Sequence, residues 1–460
     1  MLRLLHAFTF ILACVAVCAS ARADETPQQL YDRARQSIVV VKYTLSTELG
    51  RHELIVPGVV VSADGLVMIP MMAVSEQWPD SQMKEFKIVL PKDDADEQEL
   101  DAVFQGRDER SEVAFVKTKE PQKWTPIHFE KEELKIGDPV YSVGILSKAG
   151  GYRPYFMRAM VSADITSQNK QILVGDGGLA TIGSPVFAAD GKAIGYVNYQ
   201  PPFPMWLNDA NPLVPLVSPP KFITPTSEIE QSLNDPPTAD RHIQLAWIGA
   251  MELNGLKKEE AEYFGLVNQP AVQIGGVAPN GPAEKAGLKQ GDIVIKVDGQ
   301  PLERTDDPED LPMLLRQKLL RLKPGTKVAL TVLSGAGQPT KQVNVTLEPR
   351  PPLPNESKRY WADDLGFGVR ELAFQDRYML KLKPDSTGLY VAVVKPESSA
   401  ATGGLKPNDL VTQLNGQPVT DVDSFKTAYE AFRKTQPTTA VVMVATREGK
   451  EETIRIEPPQ

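Results

Sequence analysis

The sequence predicts a mainly β chain: one long region of short strands, then two copies of a smaller β unit. Two observations carry this. Short apolar runs recur through the first half, separated by turns containing Gly, Asp and Pro, a spacing that suits barrels better than helices. Gly287–Leu302 (GLKQGDIVIKVDGQPL) and Gly404–Val419 (GLKPNDLVTQLNGQPV) share eight of sixteen residues at a constant offset of 117. Such an internal repeat means two copies of one structural unit. At 460 residues the chain has room for three domains, taking roughly 150 residues for each.

The chain opens MLRLLHAFTFILACVAVCASARA, with Arg3, an apolar run, and Ala21-Arg22-Ala23 ahead of Asp24. Residues 1–23 read as a secretory signal peptide with a small-x-small cleavage site. Lipid attachment at Cys14 is an alternative that the continuing apolar run disfavours. No other stretch is long and apolar enough to span a bilayer. Both cysteines, Cys14 and Cys18, lie in this leader. The mature chain then has no disulfide, no cysteine nucleophile and no thiolate metal site. With Arg3 and Arg22 removed, 48 basic residues face 59 acidic ones, a net charge of −11. That sign argues against nucleic acid and anionic membrane surfaces as partners.

Thr26 as N-cap and Pro27 in the first turn predict a short helix within 24–36. Ser37–Leu45 reads as a strand. Val56–Met68 reads as a hairpin around Ser62-Ala63-Asp64-Gly65. Further strands are expected at Phe86–Leu90, Ala102–Gly106, Val113–Lys117, Pro139–Gly144, Met157–Ser162 and Gln171–Val174. After a Gly-rich loop from Gly175, Ser184–Ala188 and Ala193–Val197 flank Ala189-Asp190-Gly191, the mark of a tight hairpin. Pro201–Pro220 holds seven prolines, which disfavour regular structure. It reads as a surface insertion, or as a plug in which Phe203, Met205 and Trp206 cover a groove. Pro236-Pro237-Thr238 begins a linker, and the Pro-rich Glu348–Pro354 reads as a semi-rigid spacer between the repeats.

On these residues the region from about 35 to 235 resembles the HtrA-type, DegP-like trypsin-fold serine proteases. The family's Gly-Asn-Ser-Gly-Gly-Pro falls on Ala180-Thr181-Ile182-Gly183-Ser184-Pro185. Its Thr-Asn-Asn-His-Val-Val falls on Ile69-Pro70-Met71-Met72-Ala73-Val74, and its Asp-Leu-Ala-Val-Leu on Glu112-Val113-Ala114-Phe115-Val116. The resemblance implies a trypsin-like double β-barrel over 24–235 whose triad positions hold Met72, Glu112 and Ile182. Serine hydrolysis needs a hydroxyl nucleophile, an imidazole base and an orienting carboxylate. Ile has no nucleophilic atom and Met no titrating one, so no catalytic residues are expected. Met68, Met71 and Met72 are expected to fill the pocket. Ser184 reads as a turn-stabilising residue rather than a substitute nucleophile. His52, His128 and His242 show no metal-ligand spacing, and no cofactor or metal is expected.

The repeats follow small-residue helix starts, Gly281-Pro282-Ala283 and Ser399-Ala400-Ala401, and resemble the PDZ domains that follow HtrA-type proteases. The resemblance implies PDZ domains over 236–349 and 359–460, joined by 350–358. Such units add a peptide's C-terminal segment to a sheet edge and hold its carboxylate in an apolar-Gly-apolar loop. That loop matches Trp247, Ile248, Gly249 and Ala250 in the first copy, and Leu365, Gly366, Phe367 and Gly368 in the second, which looks closer to the usual pattern. The opposing helix of the second copy is expected at Val422–Lys434, with Phe425, Tyr429 and Phe432 on one face. Asp363 and Asp364 would repel a carboxylate, with Arg359 in a position to compensate.

Three functions stay open. The first is an exported, periplasmic or cell-envelope pseudoprotease that binds peptide or protein C-termini and exposed segments, as adaptor, chaperone-like binder or protease regulator. The second is an active serine-type endopeptidase with non-standard catalytic residues. The third is a structural interaction protein of the envelope. By resemblance alone, a homo-trimer is expected.

Overall fold

The computed structural model describes residues 25–459 except 48–49, 76–77, 92–97, 167–169, 199–220, 239–242, 306–307 and 321. The leader with Cys14, the insertion with Phe203, Met205 and Trp206, and His242 lie outside the described residues.

Six strands form the first closed barrel: β1 (Ile38–Thr47), β2 (Gly50–Val60), β3 (Leu66–Pro70), β4 (Met83–Leu90), β5 (Gln98–Asp108) and β6 (Val113–Thr118), in the order β1-β2-β3-β6-β5-β4. Six more form the second: β7 (Pro139–Ile145), β8 (Pro154–Thr166), β9 (Lys170–Gly175), β10 (Pro185–Phe187), β11 (Ala193–Asn198) and β12 (Phe222–Pro225), in the order β10-β11-β12-β9-β8-β7. Closure leaves neither sheet a free edge.

β1 shows how the sequence builds both a core and a seam. Its side chains alternate across the sheet. Val39, Val41, Tyr43 and Leu45 point into the first barrel with Val60, Ile69 and Ile88. Ile38 and Val40 point out and pack on Val143, Ile145 and Phe187 of the second barrel. An all-apolar start to the strand is therefore required, because both of its faces are buried. Helix α1 (Pro27–Ala34) lies against this seam through Leu30 and Ala34. Thr26 caps it as the sequence implies, accepting from the Gln29 N–H while the Gln29 side chain accepts from the Thr26 N–H. Helix α2 (Thr226–Asn234), which no sequence signal announces, closes the other side through Ile229, packed with Met68, Val113, Phe115 and Tyr196.

The two repeats form similar open sheets. The first has β13 (Ala246–Trp247), β14 (Ala250–Gly255), β15 (Val272–Val277), β16 (Ile293–Val297), β17 (Gln300–Pro301), β18 (Lys327–Leu333), β19 (Lys341–Thr346) and β20 (Glu348–Pro349), with helices α3 (Lys258–Tyr263), α4 (Pro282–Lys285) and α5 (Leu311–Leu320). The second has β21 (Arg359–Ala362), β22 (Phe367–Glu371), β23 (Leu389–Val394), β24 (Leu410–Leu414), β25 (Gln417–Pro418), β26 (Val441–Arg447) and β27 (Lys450–Ile456), with α6 (Phe374–Met379), α7 (Ser399–Thr402) and α8 (Val422–Thr435). The expected helix with Phe425 and Tyr429 is α8, and both rings lie in the core of this unit.

One ion-pair cluster fastens the first barrel. Glu99 on β5 accepts from Lys42 on β1 at 2.8 Å and from Lys87 on β4 at 2.7 Å. The hydrogen bonds from Lys42 and then Lys87 lower the Glu99 pKa from 4.5 to about 2. A carboxylate depressed on folding contributes stability above its unfolded pKa and loses it as pH falls through the folded one. Acid unfolding followed by circular dichroism should therefore show a stability loss between pH 4.5 and about 2 that is smaller in Glu99→Gln, the rest remaining with other lowered carboxylates such as Glu356.

Candidate functional site

Three segments converge where the loops of the two barrels meet. A 3-10 turn, Met71–Val74, follows β3 directly. The turn 108–112 precedes β6, and the loop 179–184 precedes β10. The Met71 N–H donates to the Glu112 carbonyl at 3.0 Å, joining the first two. Gly183 has φ +87° and lies so close to β3 that a Cβ would sit 2.8 Å from Pro70 Cδ. Only glycine tolerates both the left-handed backbone and that approach. The segments carrying Met72, Glu112 and Ile182 thus adjoin one another.

Their side chains do different things. Met72 is 52% exposed and points to solvent. Met71 is half-buried, and Met68 packs in the seam against Val113, Phe115 and Tyr196. The expectation that three methionines fill one pocket is corrected: Met68 faces the seam from β3, while Met71 and Met72, successive in a 3-10 turn, project about 120° apart. Ile182 is half-buried. Glu112 sits at φ +54° and its carboxylate accepts from Asn198 Nδ2 at 3.1 Å. Tyr196 donates its hydroxyl to the Ser111 carbonyl at 3.3 Å. Burial, and after it the Glu112 charge, raises the Tyr196 pKa.

The loop before Ile182 is wired inward. In a trypsin-type site the oxyanion is held by the N–H of the nucleophile and the N–H two residues before it. On the sequence match of Ile182 to the serine, the second of these would fall on Ala180. Its N–H donates to the Oγ of fully buried Ser142 at 2.8 Å. The carbonyls of Leu179 and Ala180 each accept from Lys221 Nζ at 2.8 Å, and burial lowers the pKa of that ammonium. Ser184 is fully buried, its Oγ 3.0 Å from Thr181 Oγ1. His52 lies on the exposed outer stretch of β2 and His128 on an exposed segment, both outside this cluster. No group of three or more His, Cys, Asp or Glu able to hold a metal occurs among the described residues. The sequence carried no local sign of the Ser142 and Lys221 bonds, since their partners lie about 40 residues away in the chain.

The two apolar-Gly-apolar loops differ. In the first repeat, Ala246 and Trp247 pair with Pro349 and Glu348. Gly249 turns at φ +80°, and a Cβ there would sit 2.9 Å from Pro282 Cδ. Ile248 packs on the core, and buried Ala250 starts β14, the terminal strand of its sheet. α5 lies alongside with Leu311, Leu315 and Leu319 turned inward. Trp247 meets Phe374 of the second repeat edge-on at 5.3 Å. In the second repeat, Leu365 is buried, Gly366 turns at φ +75°, and Phe367 and Gly368 stand on β22 opposite Ala362 and Trp361 of β21. The neighbour of Asp364 is not Arg359, which donates to the Asn355 carbonyl at 2.8 Å. It is Arg433, whose Nε donates to Asp364 Oδ2 at 2.7 Å, with Tyr429 donating to Oδ1 at 2.6 Å.

Comparison with known proteins agrees with this anatomy. The trypsin-like peptidase domain family matches residues 57–195, and two PDZ domain families match 273–333 and 364–457. A probable periplasmic serine endoprotease, DegP-like, from Pseudomonas fulva is 27% identical over 378 residues, 77% of this chain and 71% of that one. Its namesake from Brucella suis is 27% identical over 402 residues, 82% of this chain and 68% of that one. Among solved structures, the HtrA-type protease AlgW with a decapeptide superposes with TM-score 0.51 at 19% identity, covering 71% of this chain and all of that one.

The inward wiring has a measurable cost if broken. Ser142→Ala leaves the buried Ala180 N–H without its acceptor. Urea denaturation should show a loss of about 1–3 kcal/mol, while a Ser162→Ala control on an exposed side chain should lose less than about 0.5 kcal/mol.

Proposed function

We propose that this HtrA/DegP-like chain, with its trypsin-type barrels and two PDZ domains, is an exported periplasmic protein that engages exposed polypeptide segments and binds them without cutting them. The names of its relatives support the compartment and the substrate class. The hydrocarbon side chain of Ile182, at the position matched to the serine, carries the non-hydrolytic part. The Ala180 N–H committed to Ser142 adds to it. Loss of the nucleophile or the base alone costs roughly 10⁶ in turnover.

A second reading is serine-type endopeptidase activity. The comparisons favour it, since the relatives are named serine endoproteases and the peptidase family spans the matched loops. It requires a hydroxyl other than the one expected, and Thr181, beside Ile182, is the nearest in sequence.

Two measurements test this. The purified protein is mixed with unfolded casein and, separately, with a fluorophosphonate probe. The expected outcome is intact casein and no covalent label. Labelling, mapped to a serine or threonine, would establish the second reading instead. Binding is followed with a library of peptides ending in an apolar residue. Gly249→Trp forces a bulky side chain against Pro282 and into a left-handed backbone. It should weaken binding about tenfold or more, which corresponds to 1.4 kcal/mol.

A further inference from the structure

The two repeats treat their first strand differently. In the first, β13 turns away and pairs with β20, which leaves β14 terminal in its sheet. In the second, β21 folds back and pairs antiparallel with β22, placing Arg359, Tyr360, Trp361 and Ala362 opposite Arg370, Val369, Gly368 and Phe367. β21 is thus the outermost strand of the second sheet. A peptide bound by strand addition occupies that same edge, antiparallel, between the strand and the facing helix.

The side chains complete the correspondence. Tyr360 leans on α8, with its ring 6.1 Å from Phe425 and 5.9 Å from Tyr429. Phe367 on the neighbouring strand meets the same two rings at 6.3 and 5.9 Å. The Tyr360 hydroxyl reaches Glu430 on α8 at 3.3 Å, and its pKa is pushed up to about 12, by burial first and Glu430 second. Ala362 lies nearest the loop, and Gly366 donates its N–H to the Ala362 carbonyl at 2.8 Å. Lys358, just before the strand, pairs with Asp423 at the start of α8.

We infer that β21 is an intramolecular ligand of the second PDZ groove. It holds the edge of β22 as a bound peptide would, with Tyr360 in the place of a ligand side chain two residues before the C-terminal one. The first repeat is then the one with an open edge. A segment able to enter the second groove must displace β21, and it needs an aromatic side chain at that same position. This rests on reading both repeats as peptide-binding folds.

Amide hydrogen exchange on the full chain tests it without any ligand. A strand paired on both sides protects both alternating sets of its amides, whereas a terminal strand protects only one. In β22 both sets should exchange on the order of 100-fold more slowly than exposed amides, and in β14 only every second amide should. Alternating protection in β22 would overturn the inference. As a second readout, a library of peptides ending in an apolar residue should saturate at one per chain, rising to two in Tyr360→Gly, with the new site selecting an aromatic third from the end. Two per chain in the unaltered protein would also overturn it. Failure of any peptide to bind would count against the peptide-binding reading, while the exchange pattern still decides the strand.

Discussion

One guanidinium ties the first barrel to the junction between the two repeats. Arg350, at the junction between the repeats, forks onto Glu109 of the first barrel at 2.6 and 2.8 Å and onto Glu356 at 2.8 Å through two nitrogens. All three side chains are largely buried. Burial by itself would lower the Arg350 pKa, but the hydrogen bonds with Glu356 and Glu109 outweigh it and raise it. Planar two-pronged pairing of this kind suits arginine. It is also what makes burial tolerable, since losing one partner strands a charge at about 3–5 kcal/mol. Backbone bonds follow the same line: Glu109 N–H to Ile243, Ile243 N–H to Arg107 and Arg350 N–H to Leu245, each at 3.0 Å. The Pro-rich stretch read from sequence as a spacer is therefore docked. The turn so gripped is the one that carries Glu112, and Ser232 of α2 holds it from the other side by donating to Asp108 at 2.7 Å. Its shape is dictated by domain assembly, whatever Glu112 itself does.

The repeat shows which part of a sequence is tied to architecture and which is free to change. Where the copies agree, they build the same corner. Lys289 and Lys406 donate their N–H groups to Asp292 and Asp409 at 3.1 and 2.9 Å, and both aspartates are buried. Ile274 and Val391 donate to the carbonyls of those aspartates at 2.8 Å in each copy. Gly287 and Gly404 turn at φ +84° and +86°. Where they disagree, at the first strand, one copy leaves a sheet edge open and the other covers it. An edge strand must be paired, covered or charged. The alternation Arg-Tyr-Trp-Ala ahead of a tight Asp-Asp-Leu-Gly turn gives the second copy a hairpin.

The legible parts of the chain are those that depend on local chemistry. Turns with Asp-Gly, apolar alternation and the N-cap at Thr26 placed most strands and α1 within a few residues. The internal repeat revealed the two sheet units without any structural help. What stayed hidden depends on distance in the chain. β12 and α2 follow a proline-rich stretch that offers no periodic lead-in. The pairing of β21 with β22 looked instead like an ordinary carboxylate loop, because Leu365-Gly366-Phe367-Gly368 satisfies that pattern whether or not a neighbouring strand lies across it. Arg433 rather than Arg359 answers Asp364 because helix α8 brings it back over the loop from 69 residues away.

On the proposed non-hydrolytic reading, the barrel site follows a simple energetic logic. A working oxyanion hole keeps backbone N–H groups unpaired and aimed at a charge that exists only during reaction, and unpaired buried donors are costly. Once the residue beside them is isoleucine, nothing repays that cost. The peptide at Ala180 can then turn inward, where Ser142 accepts its N–H and Lys221 caps the carbonyls on either side. Of these bonds, the one to Ser142 occupies the donor itself and must break before the Ala180 N–H could hold an oxyanion. On that reading, replacing the missing hydroxyl and imidazole would restore atoms while leaving the Ala180 N–H engaged by Ser142 of β7.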